Sequence, residues 1–421
     1  MAHLKLSPYA VFLTLSGAGA FFFTVFATLS SVYRFETAGL DPLQLMLIGA
    51  VLETTVFLFE VPTGVVADLY SRRRSIIIGM FLIAAGFVLE GALPLFATML
   101  LAQVIWGIGA TFESGATDAW IADELGESRA GEAFLRGAQI GTVASLAGIA
   151  AAVALGGIYL GLPLVIGGLG YAATAVFLLL FMSETAFTPT LSSERTTIAA
   201  VRDTLSGGVR LVRERPVLIT ILAIAVILGA SSETFDRLWE AHFLSNLSFP
   251  ARSGLEPVAW FGIINAGALL LSIAVTELVR RFVKTDSHLA VARALMVINT
   301  LLLASMVAFG LAGHFTTAVA FYWSSVLLRR VNRPLYAAWL NQSLTPRIRA
   351  TMFSFANQMD AFGQIAGGPL LGLLASVAGL RSALATAGLL LLPATVLYLR
   401  TIGKPPDAPH GDGSAPATGP N

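Results

Sequence analysis

The sequence has no cysteine and little charge. The absence of cysteine from the 421 residues excludes disulfides and thiolate metal sites. Charged residues make up 12% of the chain, about half of their share in a soluble domain. The scattered histidines form no His-Glu-x-x-His pair, and no Gly-x-x-x-x-Gly-Lys-Ser/Thr nucleotide loop occurs. We expect no metal, no cofactor and no nucleotide hydrolysis, and the net charge of +1 gives no sign of a nucleic-acid partner.

Long hydrophobic runs dominate the chain instead. Hydrophobic residues make up 56% of it, and a bilayer core needs about 20 apolar residues per helix. The first run is long enough to span a bilayer, which favours a helix over a cleaved signal peptide. Twelve runs qualify, so we predict an all-α membrane protein. Spans 1 to 6 are predicted at 8–32, 43–67, 75–97, 98–122, 134–158 and 161–183, and spans 7 to 12 at 216–241, 257–279, 289–312, 314–342, 351–378 and 381–400.

A polar, arginine-rich stretch divides the spans into two sets of six. We predict a first six-helix bundle at 1–183, a cytoplasmic linker at 184–215 and a second bundle at 216–402. The stretch 403–421 is rich in proline, glycine and alanine, which is typical of a disordered tail.

Arginine and lysine accumulate in alternate loops. The loops that follow even-numbered spans hold most of them, whereas the opposite side has only Arg34, Arg252 and Arg381. The positive-inside rule therefore predicts that both termini and the linker lie in the cytoplasm, with the chain in the inner membrane.

The two halves resemble each other in sequence. An offset of 219 residues carries Trp120 onto Trp339 and Gly148 onto Gly367. A parallel repeat of six helices is a known transporter architecture, in which the substrate site lies between the halves.

Ionisable residues are unevenly distributed among the spans. Such residues cost several kcal/mol inside a membrane and usually face a bundle interior or a water-filled cavity. Spans 4, 7 and 10 carry several, whereas spans 3, 6, 9 and 12 carry almost none. We therefore expect spans 1, 4, 7 and 10 to line a central cavity and the latter four to face lipid. Span 1 contains four phenylalanines, Phe21, Phe22, Phe23 and Phe26. They either line this cavity and bind an amphipathic substrate, or only pack between helices.

Span 10 carries three arginines. Arg329 and Arg333 are four residues apart and share a face, while Arg330 points about 100° away. Each needs a carboxylate partner, and the set is either a structural ion-pair network or an anion-binding or coupling site. The candidate partners are Glu113, Asp236 and Asp360.

Several carboxylates are candidates for proton coupling. Glu53 and Glu60 are seven residues apart on span 2 and therefore share a face. Carboxylates inside a membrane can exchange protons near neutral pH, although each could instead be permanently ionised in a salt bridge. The candidates are Glu60, Glu113, Asp236 and Asp360.

A motif follows span 2, where the chain reads GVVADLYSRRR from Gly64. This resembles the loop 2–3 signature of the major facilitator superfamily, G-x-x-x-D-x-x-G-R-[RK]. Gly64, Asp68, Arg72 and Arg73 match, and Ser71 replaces the second glycine. The glycine is expected to allow close helix packing.

The resemblance implies two pseudo-symmetric six-helix bundles. It also implies a cytoplasmic gate, in which Asp68 braces the start of span 11 and Arg72 pairs with Asp123 or Glu124 to hold the outward-open state. The arginine that proton antiporters often carry on span 4 is replaced by Gln103. Other stretches are similar to a bacterial branch of drug-efflux permeases.

The leading hypothesis is therefore a monomeric secondary transporter that works by alternating access and exports a small amphipathic compound against protons. One alternative is uptake or facilitated transport of an anionic metabolite through Arg329 and Arg333. Another is a membrane sensor that transports nothing. The sequence shows no nucleophile paired with a base at helical spacing, so we do not predict an intramembrane enzyme.

Overall fold

The computed structural model describes residues 6–189, 216–282, 287–342 and 349–402, which are helical and contain no strand. The predicted tail and most of the predicted linker, residues 190–215, lie outside these ranges. Spans 1 to 6 are the helices Pro8–Val32, Pro42–Leu69, Arg72–Ala92, Phe96–Glu113 with Ala116–Leu125, Glu127–Gly156 and Leu162–Phe181. Spans 7 to 12 are Pro216–Asn246, Pro257–Phe282, His288–Leu311, Phe315–Gln342, Arg349–Ala378 and Leu380–Leu389 with Leu391–Ile402.

Eleven helices in the described ranges are long and apolar enough to cross a membrane. The twelfth, span 10, has 28 residues, about 42 Å of helix, so it is long enough as well. Its three arginines make it too polar for a purely hydropathic criterion. The predicted all-α fold with twelve spans is confirmed.

Some helix ends differ from the prediction for local reasons. Span 4 breaks between Glu113 and Ala116, where Gly115 adopts a φ of 71° that favours glycine. Span 3 ends at Ala92, because Leu93 precedes a proline and is extended. Span 5 begins at Glu127, before its apolar run, because the polar residues that precede this run continue the same helix.

The two halves repeat one packing scheme. Span 1 packs along span 5 as span 7 packs along span 11, and span 3 lies against spans 4 and 6 as span 9 lies against spans 10 and 12. The glycines related by the sequence offset also correspond. An added Cβ would clash with Phe21 of span 1 at Gly148 and with Ala230 of span 7 at Gly367. The predicted twofold likeness of the halves is confirmed, while the domain boundaries stay predictions.

The halves meet at one end of the molecule and part at the other. At the end that holds the loop between spans 1 and 2, the amide of Leu43 donates to Ser376 Oγ at 3.2 Å, and an added Cβ at Gly372 would lie 2.8 Å from Met46. We call this the sealed end. Span 5 also contacts span 8 near this end.

The opposite end, called the open end, holds loop 2–3. Phe57, Leu58, Phe59 and Val61 are all exposed there, so most of the circumference of span 2 has no neighbour among the described residues. Among the described residues nothing lies within 4 Å of an added Cβ at Gly64. No described residue packs closely against Gly64 in this conformation, so the expectation of close packing there stays a prediction.

The aromatic residues of the first half form a packed core. The ring of Phe26 stacks on Phe87 with centroids 3.6 Å apart, and Trp106 and Tyr171 contact Phe87 edge-on. This arrangement favours helix packing over substrate binding for Phe26.

Candidate functional site

A cavity of about 520 Å³ lies where the second half meets span 2. Its volume suits a small organic molecule. Polar lining residues come from spans 2, 7, 10 and 11, and spans 9 and 12 supply apolar wall. The expectation that spans 1 and 4 also line it is wrong. A physical reason is that Gln103, the buried polar residue of span 4, is bonded to Glu90 within its own half.

The cavity brings together four of the predicted site residues: Glu60, Arg329, Arg333 and Asp360. Glu53 lines it as well, as the shared face with Glu60 predicts. The other three predicted residues are not in the lining. Glu113 is at the break in span 4, Arg330 is exposed beyond the lining, and Asp236 is bonded to Arg329 beside it.

Asp236 is the partner of Arg329. Both guanidinium Nη atoms donate to the two carboxylate oxygens at 2.6 Å, which is a bidentate ion pair. The guanidinium also lies 5.6 Å from the ring centroid of Phe235. The Arg329 side chain is 17% exposed and that of Asp236 53%, so the pair forms part of the cavity edge and is reached by water on the Asp236 side.

A second ion pair joins Glu233 and Arg237 one turn apart on span 7, with Nε donating to Oε1 at 2.8 Å. An added Cβ at Gly49 would clash with both side chains. The absence of a side chain at Gly49 thus lets this pair lie against span 2 of the other half. The i,i+4 spacing of the pair is visible in the sequence, but its contact with span 2 is not.

The cavity carries a surplus of negative charge. Its lining includes three carboxylates, Glu53, Glu60 and Asp360, but only two guanidinium groups, and Asp236 occupies one of these. Asp360 accepts a hydrogen bond from Gln364 at 2.8 Å and lies within electrostatic range of Arg329 and Arg333. Such a site can attract cations or protons.

Loop 2–3 forms a separate cluster at the open end. Arg72 binds the carboxylate of Asp123, donates to the carbonyl of Ala119 at 2.8 Å, and lies 3.8 Å from Asp68. Asp68 is half exposed. The brace that the resemblance implies for Asp68 stays a prediction, because residues 343–348 and the side chains of 349–351 lie outside the described part of the chain.

Glu124 binds the chain that follows span 6, not Arg72. Its carboxylate accepts from the amides of Thr185 at 2.5 Å and Ala186 at 2.9 Å. Of the two partners that the resemblance offers for Arg72, only Asp123 is used, because Glu124 points towards this segment.

The structure explains why serine serves in place of the second motif glycine. Ser71 caps span 3 by accepting from the Arg74 amide at 3.0 Å, and its hydroxyl donates to Glu184 at 2.5 Å. Glu184 also accepts from the Arg73 amide at 3.0 Å, and the Arg73 side chain donates to the carbonyl of Leu179 at 2.8 Å. Serine therefore adds a bond between loop 2–3 and the chain after span 6.

A family model described as Major Facilitator Superfamily matches residues 11–331, more than half of the chain. The chain belongs to the Major Facilitator Superfamily. A relative in this superfamily is the Bacillus subtilis (strain 168) protein described as the uncharacterized MFS-type transporter YxaM. It is 22% identical over 360 residues, which cover 85% of this chain and 87% of that protein.

Solved structures of transporters share the fold. The nucleoside transporter NupG gives a TM-score of 0.76 at 15% identity, covering 95% of this chain and 100% of that chain. A bacterial homolog of the human lysosomal transporter Spinster, inward-facing and occupied, gives 0.72 at 15% identity, covering 94% and 97%. The chain is therefore a multi-pass membrane transporter of the MFS type.

Proposed function

We propose that the chain is a secondary active transporter that exports a small amphipathic compound by alternating access, in exchange for protons. The observation that carries this proposal is the cavity itself. It lies beside the junction of two pseudo-symmetric halves whose described residues meet at the sealed end, and its lining combines surplus carboxylates with apolar wall. Rocking of the halves about such a site exposes it to each side in turn.

The distribution of basic residues supports an orientation. Loop 2–3, with Arg72, Arg73 and Arg74, belongs to the open end, whereas the sealed end holds few basic residues. The positive-inside rule puts the open end in the cytoplasm. The structure would then be inward-open in the inner membrane of the cell, with both termini cytoplasmic, and the cavity would take its cargo from inside.

The cavity chemistry supports a cationic amphipathic cargo. Glu53 and Glu60 are the carboxylates that span 2 contributes to the lining, and apolar and aromatic groups such as Met306, Tyr336 and Phe353 form other parts of it. A cation with an apolar body would satisfy both, and it would compete with protons for the same carboxylates. This competition is the physical basis of exchange.

Transport of an anionic metabolite is the second candidate, and Arg333 favours it. Arg333 is exposed in the cavity, and among the described residues no carboxylate forms a salt bridge with it. A carboxylate or phosphate on a cargo could bind there.

Reconstituted vesicles with an imposed proton gradient distinguish these candidates. We expect accumulation of ethidium, a cationic dye, that stops when a protonophore collapses the gradient, and no movement of the anion carboxyfluorescein. If only the anion moves, export of cations is refuted and transport of an anionic metabolite is supported. Movement of neither dye, nor of any compound in a broader panel, would favour the sensor.

Glu60→Gln is expected to reduce gradient-driven ethidium flux by about tenfold or more, since it removes one charge-assisted contact of about 1.5–3 kcal/mol. Glu256→Gln, at an exposed position in the loop before span 8, is the matched control and should transport normally. Equal flux in both variants would show that Glu60 takes no part in cargo or proton binding.

Asp68→Asn is expected to lower the kcat of ethidium flux severalfold while KM stays nearly constant, because the motif acts on interconversion of states and lies outside the cavity. Initial rates over a range of dye concentrations separate the two constants. Glu132→Gln, exposed on span 5, is the control. Unchanged kcat in Asp68→Asn would show that the motif carboxylate is dispensable.

A further inference from the structure

A buried polar cluster lies in the first half near the sealed end. The helix of span 1 continues as a π-helical turn, Tyr33–Thr37, whose first two side chains are buried. Such turns often occur at functional sites. Arg34 Nε donates to Glu90 Oε1 at 2.7 Å, and the other Glu90 oxygen accepts from Gln103 at 2.7 Å. The Arg34 and Glu90 side chains are only 3% and 1% exposed, so their charges cancel inside the protein.

Glu240 lies opposite this cluster on span 7, in the other half. It is buried, and its Oε2 atom has no hydrogen-bond partner in the described part of the chain. The Nη2 atom of Arg34 is also buried without a partner, and the two side chains lie within electrostatic range of each other. Spans 1 and 7 are in contact. Two unsatisfied groups thus lie near one another where the halves close.

The remaining charged and titratable groups around Glu240 leave it uncompensated. Its own helix contributes Asp236 and Arg237, and span 10 contributes Tyr322. Arg237 is bonded to Glu233, Asp236 to Arg329 and Arg34 to Glu90. Arg34, Arg237 and Arg329 therefore each have their own carboxylate, and Glu240 is the extra acid. Further along span 7, the buried His242 lies against the carbonyl of Phe309, and Arg381 donates to the carbonyl of Asn246.

A buried carboxylate without a counter-charge costs several kcal/mol, and a proton removes that cost. We propose that Glu240 is a proton-binding site, and that its protonation allows the two halves to close at the sealed end. A proton from water on that side binds the carboxylate and gives a neutral carboxylic acid as the water leaves. When the halves separate there, water returns, the acid ionises, and the proton goes back to that water.

This inference rests on the proposed alternating access and assigns one proton-binding residue to it. Glu240 lies outside the cavity lining, so proton binding and cargo binding occur at different places. Protonation of Glu240 would therefore act on cargo through the closure of the halves, whereas competition for Glu60 acts in the cavity directly.

The chain has no cysteine, so cysteines for labelling can be introduced without first replacing native ones. Ile158→Cys and Leu255→Cys place spin labels on exposed residues of the two halves at the sealed end. We expect the distance between them to lengthen between about pH 5 and about pH 9 in the otherwise unchanged protein. With Glu240→Gln the short distance should persist over the whole range, because the amide is neutral at every pH. Glu256→Gln should behave as the parent.

A distance that is independent of pH in the parent, or one that titrates equally in Glu240→Gln, would overturn the inference. If Glu240→Gln does not fold, infrared difference spectra of the parent protein test the proposed protonation instead. A carboxylic-acid C=O band must be present at low pH and disappear as the sealed end opens, and its absence overturns the inference. These measurements need no cargo, so failure of the dye assay alone would refute export of cations and leave the proton site standing.

Discussion

Arg333→Ala is expected to lose about tenfold or more of the gradient-driven flux, whereas Arg330→Ala keeps nearly all of it. Arg333 faces the cavity and lies within electrostatic range of Asp360. Its removal leaves Asp360 and the other cavity carboxylates without a counter-charge that no salt bridge occupies, and so disturbs the competition between cargo and protons on which exchange depends. A change of about 1.4 kcal/mol in that balance corresponds to a tenfold effect. The same loss is expected if the cargo is an anion that Arg333 binds directly.

Arg330 is a closely matched control, because it is exposed on the same helix three residues away and lies outside the cavity lining. The two variants should be compared at equal amounts of folded protein in the same vesicles. Normal flux in Arg333→Ala, or equal losses in both variants, would contradict a role for the cavity arginine.

Glu90→Ala is expected to reduce the free energy of unfolding by about 3–5 kcal/mol, the usual cost of breaking a buried ion pair from one side. The substitution leaves the Arg34 guanidinium buried without its carboxylate and removes the acceptor of Gln103. Titration with a denaturing detergent, followed by helical circular dichroism, measures the change.

The double variant Arg34→Leu, Glu90→Leu should be much closer to the parent than Glu90→Ala, because it removes both charges together. Glu132→Ala, at an exposed position, should be within about 0.5 kcal/mol of the parent. A small effect of Glu90→Ala would mean that water reaches Arg34, and the sealed end would then be less tightly closed than the geometry indicates.

The fold could be predicted from the sequence because a bilayer allows few solutions. Backbone groups in lipid must bond within their own segment, so an apolar run of sufficient length is a helix. The offset that relates Gly148 to Gly367 also carried real information, since both residues let span 5 or 11 approach its partner helix. The break in span 4 at Gly115 could not be predicted from the sequence, because glycine also occurs inside helices in membranes.

The site could be predicted in part. Helical periodicity correctly put Arg329 with Arg333 and Glu53 with Glu60 on shared faces that line one cavity. Periodicity does not reveal which helices face one another, so it could not show that Glu113 lies at the break in span 4, outside this cavity. The role of Ser71 could not be predicted, because its partner Glu184 is distant in sequence and follows span 6, which packs against span 3.

Glu240 shows the same limit more clearly. It lies on span 7 among several other acids, and nothing in the sequence distinguishes it from Asp236. Only the packing reveals that Asp236 is bonded to Arg329, while Glu240 lies within electrostatic range of Arg34 and has an oxygen without a described hydrogen-bond partner. The assignment of counter-charges is a tertiary property, and it decides which acid is available for a proton.

The central claim, that the two halves rock about the cavity, is tested most directly by measuring distances at both ends of one molecule. Labels at Ile158 and Leu255 report on the sealed end, and labels at Tyr70 and Leu289 on the open end. During ethidium transport under a proton gradient, the account predicts that one distance lengthens whenever the other shortens. Transport with both distances fixed, or with both changing in the same direction, would contradict it.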